Sequence, residues 1–209
     1  MTIDLPDDPA AAVAAMESIK TDERELVSAL QLYLKTRSGH ADYFEWPDRD
    51  VVEVDIARLA LASAAISTDP AVVSHRGPAN DPPDCEATVQ GLRYGIEITE
   101  LVDGHIRAVA RHARETNQAA PAPEAWPEDK FRAKVQARLN DKGAAVVKGG
   151  PYDQYLLVIF TDEEVLRYDT VKSWTSGFRA PPLIHRAFLL MPYDVTHQPY
   201  PLVEFELSH

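Results

Sequence analysis

Asp81-Pro82-Pro83-Asp84-Cys85-Glu86-Ala87-Thr88-Val89-Gln90-Gly91-Leu92-Arg93-Tyr94-Gly95-Ile96-Glu97-Ile98-Thr99-Glu100-Leu101 alternates apolar and polar residues on either side of a glycine. With a period of two, Cys85, Ala87 and Val89 share one face of a strand, and Asp84, Glu86, Thr88 and Gln90 share the other. Tyr94, Ile96 and Ile98 oppose Gly95, Glu97 and Thr99 in the same way. Two such runs around Gly91 predict a β-hairpin of residues 85–90 and 94–99. A Gly91-Leu92 loop with glycine first suits a type II′ turn. That register sets Gln90 opposite Arg93, Glu86 opposite Glu97 and Asp84 opposite Thr99. The apolar side chains then gather on one face and the carboxylates of Asp84, Glu86 and Glu97 on the other. Like charges directly across a strand pair repel. A divalent cation held by carboxylate oxygens would relieve them; a solvated strand face in an acidic protein accounts for the same spacing.

Pro83-Asp84, a hairpin, and then Gly95-Ile96-Glu97-Ile98-Thr99-Glu100 together resemble the core of the PD-(D/E)XK nuclease superfamily, the restriction-endonuclease-like fold. In that family an Asp begins one strand and an acid-x-Lys tripeptide lies on the next. The resemblance makes Asp84 the first acid and Glu97 the second, with Thr99 standing where Lys is expected. It implies a Mg2+ or Mn2+ site of Asp84 and Glu97, with Glu86 as auxiliary ligand or as a base acting through water. It also implies a core over residues 51–160 with a mixed sheet flanked by helices. Residues 1–50 then form an N-terminal helical extension, and 161–209 a C-terminal helix plus β-hairpin extension of one α/β domain.

The chain has 209 residues, enough for one substantial core. Its 33 Asp and Glu outnumber 21 Lys and Arg, and the formal net charge of −12 opposes broad electrostatic attraction to nucleic acid. Any nucleic-acid contact must therefore come from a local basic element or through metal. Cys85 is the single cysteine, which excludes an intramolecular disulfide and a cysteine-based zinc cluster. No secretory leader and no apolar run of membrane length is visible, so no membrane partner is expected and the cytoplasm is the expected location.

The local basic element is readable in Glu128–Lys142. Phe131, Val135 and Leu139 form an apolar helical stripe. Lys130, Lys134, Arg138 and Lys142 recur every fourth residue beside it. A solvated face that solubilises the helix explains that recurrence, and so does a stripe that follows a phosphate backbone. Several families on the resembled fold carry the missing Lys on a neighbouring helix, which makes Lys134 or Lys142 the candidate to replace it. Gln136 is a further substrate-contact candidate.

Elsewhere, Asp22 and Glu25 have capping-box spacing ahead of a helix ending at Gly39. Val51–Ile66 is apolar nearly all round and fits a buried helix, or a strand at its β-branched start; the resemblance implies an acid facing the metal on a helix ahead of the first strand, with Glu53 the candidate, and a snorkelling or paired acid at a helix N-terminus explains Glu53 equally well. Asp103 opens a helix to about Asn117, and the prolines of 119–127 make an extended linker. Tyr155–Phe160 predicts a central strand, parallel to the Glu97 strand. Thr161 and Glu164 predict a capped helix to about Trp174, and Ala187–Met191 and Leu202–Leu207 predict two strands. The expected function is metal-dependent phosphodiester hydrolysis on DNA or RNA. The alternative is a catalytically inactive nuclease fold kept as a binding or interaction module.

Overall fold

A computed structural model describes residues 49–104, 108–109, 112–113, 116, 124–163, 165–191 and 200–209. The helix expected after Asp22 lies outside the described residues, as do most of the 119–127 linker and Glu164.

The described chain is α/β. Helix α1 spans Arg49–Ser63, followed by strands β1 (Val73–His75), β2 (Cys85–Val89) and β3 (Leu92–Glu100). Helix α2 (Glu128–Gly143) leads to β4 (Gln154–Phe160), the short helix α3 (Tyr168–Lys172) and β5 (Phe178–Arg179). Strands β6 (Arg186–Leu190), β7 (Leu202–Glu204) and β8 (Leu207–Ser208) complete it. Six strands form one mixed sheet in the order β1-β2-β3-β4-β6-β7, while β5 and β8 make a separate parallel pair.

The sheet is covered on both faces, which is why β4 reads as an unbroken apolar run. Ile96, Ile98, Leu156, Val158, Phe188 and Leu190 point to one face, where α1 supplies Ile56, Ala57, Ala60 and Leu61. Leu157, Ile159, Ala187 and Leu189 point to the other, against Phe131, Val135 and Leu139 of α2. Those three α2 residues are the stripe expected from sequence. Each fully buried aliphatic or aromatic side chain contributes about 1.5–3 kcal/mol of transfer free energy. Helix α1 departs from the expectation of a helix buried all round. It buries one stripe, Glu53, Ile56, Ala57, Ala60 and Leu61, and leaves Val51 59% exposed.

β3 and β4 run parallel with Glu97 beside Leu157 and Thr99 beside Ile159, as the apolar run predicts. The connection between them passes through α2, the long crossover that parallel neighbours require. Two expectations are corrected downstream. The helix after Phe160 begins only at Tyr168, because the buried Thr161 hydroxyl donates to Leu101 O at 2.8 Å and accepts the Glu163 amide at 3.2 Å. The C-terminal strands β6 and β7 pair antiparallel as a hairpin, but not as an appendage: β6 also pairs parallel with β4, so both extend the central sheet. The second strand is also split, since Leu207 leaves β7 and pairs with Phe178. Among the described residues no helix is long and apolar enough to cross a membrane.

Candidate metal centre

The hairpin forms with a shifted turn. Val89 pairs with Leu92, leaving Gln90 (φ 52°) and Gly91 (φ 82°) as the loop. Two successive positive φ values belong to a type I′ turn, in place of the expected type II′. The pairing moves by two residues, so every side chain keeps its face. Cys85, Ala87, Ile96 and Ile98 all lie in the α1-side core, as the alternation requires. What changes is which acids meet. Glu86 stands opposite Gly95 instead of Glu97, and Cys85 opposite Ile96. Carrying that register one residue further brings Asp84 alongside Glu97, where the expected register had set it opposite Thr99.

Asp84 and Glu97 are both buried, and Asp81 joins them: one carboxylate oxygen from each lies within 4.8 Å of the others. Asp84 Oδ2 accepts the Ile98 amide at 2.7 Å, which fixes its rotamer over the start of β3's inner half. Glu97 Oε1 takes the Lys142 ammonium at 2.5 Å, and Glu97 Oε2 accepts the Tyr155 hydroxyl at 3.2 Å. Burial, with the charge of Glu97 second, pushes the Asp84 carboxyl up to about 7. Burial also raises Glu97, against the pull of Lys142. For Lys142 burial works downward, and the carboxylates of Glu97, Asp84 and Asp81 outweigh it, so its pKa stands above the ordinary lysine value. Two buried carboxylates and the half-buried Asp81, with one ammonium among them, form a donor set that could hold a hard divalent cation. A cation at that point would reverse the repulsion recorded in Asp84.

The basic stripe explains how Lys142 arrives there. Lys130 pairs with Asp103, Lys134 Nζ donates to Val102 O at 3.3 Å, and Arg138 Nε donates to Glu100 O at 3.0 Å. Lys142 then meets Glu97. Helix α2 thus lies antiparallel over β3 and the chain beyond it. Twelve helical residues rise about 18 Å, and six extended residues cover about 20 Å, so the two spacings stay in step. Of the two lysines proposed to replace the absent one, Lys142 reaches the acids. Lys134 sits over the Trp126 ring, 5.4 Å from its centroid, as does Lys130 at 4.8 Å. The stripe's cations are engaged with this chain's own carbonyls and carboxylates. Gln136 donates to Arg179 O at 2.7 Å and so ties α2 to β5.

Two other expected residues are placed apart from the carboxylate group. Thr99 is one side-chain step beyond Glu97 on the same face of β3 and 8% exposed. Glu86 is drawn away by Arg93 at 3.2 Å and Arg76 at 3.6 Å, with the Tyr152 hydroxyl at 3.4 Å. Its place beside Asp84 and Glu97 is taken by Asp81. Glu53 is buried on α1 and bound by Arg49 and by His75 Nε2, the latter at 2.8 Å. Since His75 Nδ1 accepts the Gly77 amide at 3.0 Å, the ring proton sits on Nε2 and is donated to Glu53. Arg49 also lies 3.8 Å from Asp84 Oδ1, and so links this pair to the acids.

Asp81 and Tyr155 were not legible as site residues. Asp81 lies in a proline turn with no alternation to orient it, and Tyr155 opens an apolar run that reads as plain core. One signal for Tyr155 does exist, in Gly95. A Cβ there would stand 2.9 Å from Tyr155 Cδ2 and 3.1 Å from Tyr152 Cδ2. The glycine two residues before the acid clears the way for the ring whose hydroxyl reaches it. No known family model matches this chain, and no curated protein or solved structure is significantly similar to it.

Proposed function

We infer that this chain is a metal-dependent nuclease-like protein that hydrolyses phosphodiester bonds in DNA or RNA, on a restriction-endonuclease-like core. The observation that carries the reading is the Lys142–Glu97 contact at 2.5 Å inside the Asp81, Asp84 and Glu97 group. It supplies the fixed cation that Thr99 lacks, from a neighbouring helix. An acid ahead of β2, an acid on β3 and a covering helix also follow the order of the resembled core.

Asp84, Glu97 and Asp81 would hold Mg2+ or Mn2+ through oxygen. Such an ion would polarise the scissile phosphate and lower the pKa of a bound water, so that hydroxide is available near neutral pH once its proton passes to solvent. Lys142 would set a positive charge beside the non-bridging oxygens, where negative charge grows as hydroxide attacks phosphorus and the leaving oxygen departs. Thr99 can only hydrogen-bond, since its hydroxyl is neutral at ordinary pH. The Ile98 amide and Arg49 hold Asp84 in place from two sides.

The second reading, a catalytically inactive binding or interaction module, is favoured by one observation. Lys130, Lys134 and Arg138 are each engaged internally, so the helix offers little spare charge to a phosphate backbone. Incubating the protein with mixed single- and double-stranded DNA and RNA, with Mg2+ or Mn2+ and with chelator, separates the two. Metal-dependent cleavage lost in Asp84→Asn and Glu97→Gln is the expected result. Ion binding without cleavage of any substrate would replace the first reading by the second.

A further inference from the structure

We propose that Arg76, Arg93 and Tyr152 form a pocket for a phosphate monoester group, in which the carboxylate of Glu86 sits as a displaceable occupant. The pocket goes beyond the reading above and does not depend on any carboxylate holding an ion. Three donors converge on one oxygen, Glu86 Oε2: Arg93 Nη2 at 3.2 Å, the Tyr152 hydroxyl at 3.4 Å and Arg76 Nε at 3.6 Å. Charge-assisted hydrogen bonds run at about 2.7–2.9 Å, so all three contacts are stretched. One oxygen is too small for the space these donors enclose. Glu86 is loosely seated as well, with 37% of its side chain exposed. The donors are preset without it. Arg76, 10% exposed at its side chain, donates from Nη1 to Lys148 O at 2.7 Å, and a Cβ on Gly149 would collide with its Nη2. Arg93 donates to Gly149 O at 3.2 Å and to Pro151 O at 3.3 Å. Both guanidinium groups lie over the Tyr152 ring, at 5.0 Å for Arg93 and 5.9 Å for Arg76. Carbonyls of one loop and one aromatic ring therefore hold both cations in place. Burial keeps the Tyr152 phenol above its ordinary value, against the pull of Arg76, so the hydroxyl stays protonated and donates.

The class of ligand follows from the donors. A guanidinium presents its N–H groups in a planar fork that matches phosphate oxygens. A phosphate group offers several oxygens where Glu86 offers one, and so accepts a short bond from each of the three donors. Two fixed positive charges match a dianion, the form a phosphate monoester takes near pH 8; a backbone diester carries a single charge. Glu86 can turn to solvent as the phosphate enters. While it stays, its like charge competes with the ligand. Inorganic phosphate and the terminal phosphate of a nucleotide chain present this same group.

The test is calorimetric titration of inorganic phosphate at pH 8, with chelator and at fixed ionic strength, into wild type, Glu86→Gln, and Glu86→Gln with Arg93→Gln. Wild type should bind weakly, and Glu86→Gln roughly tenfold more tightly, because the competing charge is gone. Adding Arg93→Gln should cost at least about tenfold. No gain from Glu86→Gln, or no loss from Arg93→Gln, would overturn the pocket. Arg93 is 43% exposed, and melting temperatures check that each variant folds. Should the double variant fail to fold, Tyr152→Phe in its place removes one donor and keeps the ring under both guanidinium groups. A weaker phosphate affinity is expected there, and an unchanged one would overturn the proposal. A short oligonucleotide with and without a 5′-phosphate, titrated into Glu86→Gln, then identifies the source. Preference for the phosphorylated strand assigns the pocket to a chain terminus, and binding of inorganic phosphate with neither strand assigns it to the free anion. Equal binding of both strands would overturn the monoester assignment. With chelator present throughout, failure here leaves the hydrolytic reading untouched, and failure of that reading leaves the pocket standing.

Discussion

β3 carries two buried acids three residues apart, Glu97 and Glu100, and their surroundings differ in kind. Around Glu97, the oxygens of Asp81 and Asp84 converge and Lys142 is bound directly. Around Glu100 the neighbouring acids are dispersed onto other partners. Glu163 Oε1 accepts the Asp103 amide at 2.6 Å, Asp103 pairs with Lys130, and Arg138 spends its Nε on the Glu100 carbonyl. Burial, with Asp162 second, pushes the Glu100 carboxyl up to about 8, so it is held neutral by a proton near pH 7. Among the described residues only the first group brings three carboxylates within reach of one ion. Burying acids is common to both regions; convergence on a point, with a cation fixed beside it, belongs to one.

The strongest way to break that comparison is to remove one cation from each region. Lys142→Ala should lower metal-dependent cleavage on the order of 10²–10³-fold, the usual cost of deleting one fixed donor to a developing negative charge. Lys130→Ala should leave the rate within about threefold, because its partner is Asp103, outside the group. Rates measured at saturating metal decide it, and equal losses in the two variants would erase the distinction. The next effect is on stability. Mn2+ at about 100 times its dissociation constant should raise unfolding free energy by about 2.7 kcal/mol. Glu97→Gln should abolish the gain, whereas Glu163→Gln should keep it. Thermal melts with Mn2+ and with chelator check both.

The proton-held region answers to pH. Glu100 has a folded pKa near 8 against an ordinary value of 4.5, so between those limits the folded state holds a proton that the unfolded chain has released. Stability from this group is complete below about pH 4.5 and is lost as pH rises through 8, with a slope of up to about 1.4 kcal/mol per unit. Glu100→Gln, which is neutral throughout, should flatten the fall measured by urea unfolding at pH 5, 6, 7 and 8. An unchanged slope would mean that Glu100 is ionised in the folded protein.

How much of this was written in the sequence depends on what each residue answers to. The faces of β2 and β3 were legible because alternation is a local property and survives the shift of the turn. The turn itself was misread, since Gln90 at positive φ gives no signal comparable to the glycine beside it. Lys142 was legible as one of two lysines, because a four-residue recurrence fixes a stripe but not its partner strand. Asp81 was not legible, because only the folded path of the proline turn brings it to Asp84. The C-terminal strands were recognised from composition, but nothing local says that β6 docks on β4. That pairing is set by the apolar faces of a strand far away in sequence.

The smallest expected effect concerns Glu86, which the sequence offers as a third ligand and the fold turns elsewhere. Its carboxylate lies between Arg93 and Arg76, with side-chain exposure of 37%. A pair that exposed contributes at most about 1 kcal/mol. Glu86 faces the same side of the sheet as Glu97 but stands across from Gly95, and the ring of Tyr152 with its hydroxyl at 3.4 Å stands with it. To ligate an ion held by Asp81 and Asp84 it would have to leave two guanidinium groups. Glu86→Gln keeps the shape and one acceptor oxygen for the arginines while removing the charge. Mn2+ affinity should therefore change by less than about twofold, and the melting temperature should fall slightly as Arg93 and Arg76 lose their counter-charge. A tenfold loss of Mn2+ affinity with the melting temperature preserved would return Glu86 to the ligand set. The four-acid site it implies would then need the Tyr152 side of the sheet to close over the ion.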